Sequence, residues 1–215
     1  NGFLSNNSIS ETGKRSIAEI GAEILYDFNY FDIAINGSTL HKKYNLDKKN
    51  SQSISSSIPS MKIHISSLLK KSSASGTSLI MPEFVYEKTE YKDQSLNPIF
   101  DLHIRNSGNL NALTNDYFFG KDRVPDSEFL AAKLSWQKRI RNNQKFALQL
   151  VKKNELETSR VINAMLSSPL GKDSQIGTKL SFENSGLKTY IAANYSQKRN
   201  SLNYGETGLE INHSD

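Results

Sequence analysis

The sequence predicts an all-β protein, an antiparallel meander forming part of a transmembrane β-barrel. Three observations lead there. In residues 16–26, Ala18, Ile20, Ala22, Ile24 and Tyr26 alternate with Glu19, Gly21 and Glu23. Successive strand side chains point to opposite faces, so this is a ribbon with one oily and one wet side. Its length is close to the ~9–11 residues that cross a bilayer as a tilted strand. The same alternation recurs to the end of the chain, while no long segment carries helical periodicity. Finally, Tyr26, Tyr30, Trp136, Tyr195 and Tyr204 fall near predicted strand ends, where interfacial aromatic girdles of barrels lie.

The elements follow in order. A first strand covers residues 16–26; Asp27-Phe28-Asn29 turns the chain into a partner at about 30–40, and residues 42–52 read as a polar loop. Residues 53–57 and 61–69 are read as separate strands, with Pro59 marking a start or a bulge. A Lys/Ser loop at 70–76 precedes a strand at 79–88 that contains Pro82. Residues 98–106 alternate sharply: Phe100, Leu102 and Ile104 oppose Asp101, His103 and Arg105. Residues 107–126 form the longest irregular stretch, containing Tyr117-Phe118-Phe119. Leu130, Ala132, Leu134 and Trp136 then oppose Lys133, Ser135 and Gln137, and Arg141-Asn142-Asn143-Gln144 turns into Phe146, Leu148 and Leu150. Further strands are expected at 160–167, 174–183, 187–197 and 201–212, for about nine to eleven in all. Links this short cannot make parallel crossovers, which need a dozen or more residues.

Composition is compatible with this reading. The chain has 215 residues, 36% hydrophobic and 23% charged, with a mean hydropathy of −0.55. No stretch approaches the ~18 apolar residues of a transmembrane helix, but barrels lack such stretches because half of each strand faces a polar interior. The net charge is +5. Its basic pairs (Lys42-Lys43, Lys48-Lys49, Lys70-Lys71, Lys152-Lys153, Lys198-Arg199) are scattered and make no stripe, so no nucleic-acid partner is expected. Cysteine is absent, which excludes disulfides and thiolate metal sites. Asn1 at the start and a strand-like run at the end read as cut ends, so residues 1–215 are expected to be a single segment of barrel wall from a longer protein.

A soluble β-sandwich would show the same alternation, its oily face packed in a core. Strands of about ten residues, against a usual ~5–6, favour the membrane, and so do Gly177, Thr178, Ala193, Asn194 and Ser196 among the predicted polar-face residues. The same registers turn Lys133 and Lys179 inward, away from lipid. Lys138 shares the face of Trp136 but lies near a strand end, where a lysine snorkels.

Three segments carry a family resemblance: LAAKLSWQKRIRNNQKFALQL (130–150), INAMLSSPLGKDSQIGTKLSFEN (162–184) and LKTYIAANYSQKRNSLNYGETGLEINHSD (187–215). The strand–Asn-rich turn–strand of the first, Pro169-Leu170-Gly171 in the second, and the Asn194-Tyr195-Ser196 and Leu202-Asn203-Tyr204-Gly205 runs of the third resemble the fimbrial ushers. Such a resemblance implies a channel and assembly platform in the bacterial outer membrane. It would translocate folded pilus subunits delivered by a periplasmic chaperone, with membrane lipids as further partners and no cofactor. The wall residues expected to face such a lumen, by register, are Glu19, Glu23, Lys133, Ser135, Gln137, Thr189 and Tyr190. Two other readings stay open: another outer-membrane barrel (a secretion pore or receptor), or a soluble or surface β-rich adhesin or binding module.

No catalytic, metal or cofactor-binding constellation is visible, and no enzyme is expected. His41, His64, His103 and His213 share no ligand spacing. Gly171-Lys172-Asp173 lacks the glycine spacing of a phosphate loop. Glu19 and Glu23 share a strand face and could pair as acid and base, but two lumen carboxylates are the commoner explanation.

Overall fold

A computed structural model describes residues 13–46, 53–99, 103–104, 118–140, 143–165 and 172–211. Twelve strands occur among them: β1 Gly13–Asp27, β2 Asp32–Leu46, β3 Ser53–Ser66, β4 Leu69–Ser73, β5 Gly76–Thr89, β6 His103–Ile104, β7 Phe118–Phe119, β8 Ser127–Ile140, β9 Lys145–Glu155, β10 Ser174–Glu183, β11 Leu187–Ser196 and β12 Ser201–Ile211. Ten form one sheet in the order β1-β2-β3-β5-β8-β9-β10-β11-β12, with β4 also paired to β5, while β6 and β7 pair separately. Every pairing is antiparallel. The fold is therefore the expected all-β meander, an open stretch of wall whose described edges are β1 and β12.

The strands are longer than the alternation alone indicated, because pairing continues past the oily stretch. β2 runs to Leu46, with Lys42 opposite Ile17 and Tyr44 opposite Arg15, where a loop was expected. β3 passes straight through Pro59 instead of dividing there. Both strand prolines occupy breaks in a neighbouring ladder. The β3–β5 ladder runs from Ser60–Thr89 to Ser66–Glu83. Pro59 lies just beyond its first pair, and its carbonyl accepts from Glu90 N–H at 3.1 Å. Pro82 lies just beyond its last pair, where β3 has ended and β4 has yet to begin, and accepts from Ser67 N–H at 3.1 Å. Since N–H and C=O of one strand residue point to the same side, each proline's missing donor falls where no ladder bond is needed.

Turn chemistry fixes the short hairpins. Asn143 (φ 57°) and Asn200 (φ 49°) adopt the left-handed conformation that asparagine tolerates. Asn184 Oδ1 accepts from the N–H groups of Gly186 and Leu187. Gly76 has φ 137° and packs against the Arg139 carbonyl, so a side chain there is excluded twice over.

One expected strand is a helix. Residues 160–167 were read as a strand, but Arg160–Met165 forms the short helix α1. The Asp126 carboxylate accepts from the Ser159 hydroxyl and from the N–H groups of Arg160 and Val161, and Ser159 Oγ accepts from Ile162 N–H. Three of those bonds satisfy backbone N–H donors that a helix start leaves open, and the fourth holds the Ser159 hydroxyl in place. Of the strand expected at 98–106, only His103–Ile104 is described as strand; residues 100–102 and 105–117 lie outside the described residues, as do 47–52, 141–142, 166–171 and the two chain ends.

Alternating strand direction puts all the turns between β1–β2, β3–β5, β8–β9 and β10–β11 on one rim. The long connections 90–126 and 156–173 leave from the other.

Candidate functional site

The sheet has two unlike faces, and register assigns every strand residue to one of them. One row across the first face reads Ile24, Ile35, Ile63, Tyr86 and Leu130. Another reads Ile80, Trp136, Leu148, Leu180 and Ile191. This oily face is bare: Ile20 is 77% exposed, Leu180 51%, Ile191 55% and Leu209 67%. A soluble sandwich would have buried it under a second layer. On β8 the oily run is bounded by Glu128 and Lys138. Ten residue steps at ~3.3 Å, tilted by ~40°, give roughly 25 Å along the membrane normal, the height of a barrel's apolar belt.

The opposite face is polar and yet carries the buried residues, among them Val85, Phe129, Ala131, Val151, Ser135, Lys153, Asn194 and Ser196. Its charges are matched across the ladder between directly opposed residues. Lys133 Nζ lies 2.6 Å from Glu83, Lys62 3.8 Å from Glu87, Lys145 3.8 Å from Glu183 and Lys188 3.3 Å from Glu210. Direct opposition places such pairs within reach without strain. Lys179 Nζ rests 4.4 Å over the Tyr190 ring. That ring in turn lies against Gly208, where a β-carbon would meet it.

Glu19, Glu23, Lys133, Ser135, Gln137 and Tyr190 all lie on this polar face. Thr189 does not. It pairs with Phe182 and Leu209 on the oily face, because neighbours in a strand cannot share a side. Placing both Thr189 and Tyr190 inward is corrected accordingly.

The polar face is covered near the long rim by the chain's own connections. Lys42, fully buried, donates from Nζ to Gln94 Oε1 (2.8 Å) and to the carbonyls of Lys121 (3.2 Å) and Asp122 (3.3 Å). Asp122, also fully buried, takes Arg15 Nη1 at 2.7 Å and the Tyr44 hydroxyl at 3.1 Å. Gln94 clamps the connection to itself, donating to Val124 O and accepting from Val124 N–H. Lys121 reaches Glu19 at 3.3 Å. Residues 90–99 and 120–126 thus form a strap held across the wet side of β1 and β2. The strap joins the second long connection through Asp126 and α1, and Leu156 N–H donates to Glu128 O. Burial pushes the Arg123 guanidinium of the strap below its ordinary value, with Tyr44, Asp122 and Asp93 pulling the other way. Asp93 is held below the ordinary carboxylate value by the Ser95 N–H and hydroxyl.

Sequence reasoning missed Arg15, Lys42, Tyr44, Gln94, Asp122 and Asp126. The available signal was Lys42 and Tyr44 keeping the parity of the polar face of β2; their partners lie 52 to 80 residues away. Among the described residues no group of His, Cys, Asp or Glu is placed to hold a metal ion.

A bare oily belt, a matched polar face and long connections on one rim describe a membrane wall, and the comparison with known families says which. Residues 26–215 match the family described as LptD, LPS transport system D. The chain belongs to the LptD family. No curated protein matches it. LptD is a bacterial outer-membrane protein of lipopolysaccharide transport, which fixes the location of this chain and corrects the fimbrial-usher resemblance. Pilus subunits and their chaperone fall with it as partners; lipid, lipopolysaccharide and other Lpt proteins are those of LptD. Of the motifs behind that resemblance, Asn194-Tyr195-Ser196 ends strand β11, and Pro169-Leu170-Gly171 lies outside the described residues.

Proposed function

We propose that this chain is a stretch of the wall of an LptD barrel, passing lipopolysaccharide across the outer membrane. In this reading the oily face meets lipid hydrocarbon and the polar face lines the lumen. Glu19, Glu23, Lys133, Ser135, Gln137 and Tyr190 are the lumen-side residues. One observation carries the proposal: apolar side chains such as Ile20 and Leu209 are bare while Lys42, Asp122 and Ser196 on the other side are fully buried. That inversion suits a wall between hydrocarbon and a wet interior, and LptD membership supplies the cargo. No chemical step is needed. The wall works by hydration, by neutralised charge and by the strap that narrows its interior. Long connections of outer-membrane barrels face the cell exterior, so the strap belongs to that side.

The test uses single cysteines in the whole protein in its native membrane, since this segment has none of its own. Cysteines replacing Lys133, Ser135 or Gln137 should react with a water-soluble maleimide. Those replacing Leu134, Leu180 or Ile191 should resist it. Photo-crosslinkers at the first set should capture lipopolysaccharide in transit. Equal reactivity of the two sets, or capture of nothing but protein, overturns the reading.

A further inference from the structure

Between the strap and α1 lies a cavity of about 250 Å³, lined by Tyr91, Asp93, Ser95, Arg123, Arg160 and the α1 residues Val161, Ala164 and Met165. Its volume is about eight water molecules' share of the liquid. Two of its wall residues are arginines. Arg123 is only 9% exposed, and among the described residues its guanidinium makes a single long contact, 3.5 Å, to the carbonyl of Asp122. The Asp122 carboxylate accepts from Arg15 and Tyr44 through Oδ1. The Asp93 carboxylate accepts from Ser95 N–H at 2.9 Å. Arg160 is exposed at the mouth of the cavity, its guanidinium 5.0 Å from the centre of the Tyr91 ring.

A buried guanidinium carries five N–H donors and a full charge, and burying it without an acceptor is costly. Every other buried cation of the strap region has its oxygens: Lys42 has three. Arg123 borders an open cavity instead, which it shares with the Asp93 carboxylate and with a second arginine, Arg160. Two arginines lining one space suit a tetrahedral oxyanion, which accepts paired N–H bonds from a guanidinium fork. We propose that this cavity binds a phosphoryl group, gripped by Arg123 from within and by Arg160 from the mouth, with Tyr91 flanking whatever carries it. That the phosphoryl group belongs to lipopolysaccharide rests on the proposed function above; that the cavity takes a phosphoryl group does not.

The experiment is arginine footprinting on the whole detergent-folded protein with its Lpt partners. Phenylglyoxal adducts at Arg160 are read by peptide mass spectrometry. The probes are phosphorylated lipopolysaccharide, the same lipid enzymatically dephosphorylated, inorganic phosphate, and sodium chloride at matched ionic strength. Protection of Arg160 by the phosphorylated lipid and by phosphate, but not by the other two, is the expected result. Arg123→Gln should raise the concentration needed for protection about 10- to 100-fold, the usual worth of a charge-assisted pair of bonds. Ala164→Trp, which fills the cavity and keeps both charges, should do the same if Arg123→Gln fails to fold. Protection by phosphate alone leaves the cavity a phosphate site and overturns its assignment to lipopolysaccharide. No protection by phosphate, or equal protection by chloride, overturns the proposal, whatever the maleimide experiment shows of the wall.

Discussion

Asp122 ties three parts of the chain with one carboxylate. It is fully buried, ion-paired to Arg15 on β1, bonded to Tyr44 on β2, and its own carbonyl receives Lys42. Removing one partner of a fully buried ion pair costs about 3–5 kcal/mol. The Arg15 side chain is 26% exposed, so the share here is lower, about 2–3 kcal/mol. Asp122→Asn keeps the shape and removes the charge. It should free the strap without unfolding the wall: protease added outside intact cells should cut within 90–99 or 120–126 in the variant and not there in the parent, while the heat-modifiable gel shift of the barrel persists. Simultaneous loss of the gel shift would mean that the strap holds the sheet itself. The charge matching between β5 and β8 is a separate matter. Lys133 and Glu83 are directly opposed and partly exposed, so exchanging them as a pair should restore most of the ~0.2–1 kcal/mol that either single reversal removes, read as the urea midpoint in vesicles.

Among elements, β10 gives the sharpest contrast between the two faces, because Leu180 and Ser181 are neighbours on opposite sides of one strand. Leu180→Arg places a charge near mid-belt in lipid and should cost about 2–4 kcal/mol, seen as a lower yield of the folded gel form. Ser181→Arg meets the polar face and should fold normally. Equal yields would mean that Leu180 does not face lipid. The same contrast explains what was legible beforehand. Where alternation was unbroken, as in β1 and β8, strand and face were readable from side-chain parity alone; on β11 the strand was readable, but Thr189 was placed on the wrong face. Pro59 misled because a proline breaks a ladder only where its N–H is wanted, and that depends on where the neighbouring strands stop. Residues 160–165 misled because their helix is started by Asp126, 34 residues upstream of Arg160. Lys42 and Tyr44 looked like loop residues because hydropathy reports water contact, and these polar groups are buried against other polar groups. The wall was therefore readable from local pattern, and the strap was not.

The whole sheet shows an inversion of the usual arrangement, with greasy side chains outside and the buried set on the charged side. That inversion overturns the soluble sandwich that alternation alone permits. It also carries a prediction for the full protein: folded in detergent, it should run on a gel at different positions before and after boiling, and the shift should survive alanine replacement of any single lumen-side residue named above. Loss of the shift on replacing Ser135 or Gln137 would assign those residues a structural role in place of a lining one.

The strap has one more consequence, for how such a wall reaches its place. A stretch containing Lys121, Asp122 and Arg123 must end up on the far side of the bilayer if its rim faces outward. Dragged alone through hydrocarbon, each of those ions would oppose the crossing by several kcal/mol. Lying along the wet side of strands that advance together, with Lys121 already answered by Glu19 and Asp122 by Arg15, it rides across inside a hydrated fold and never touches the oil.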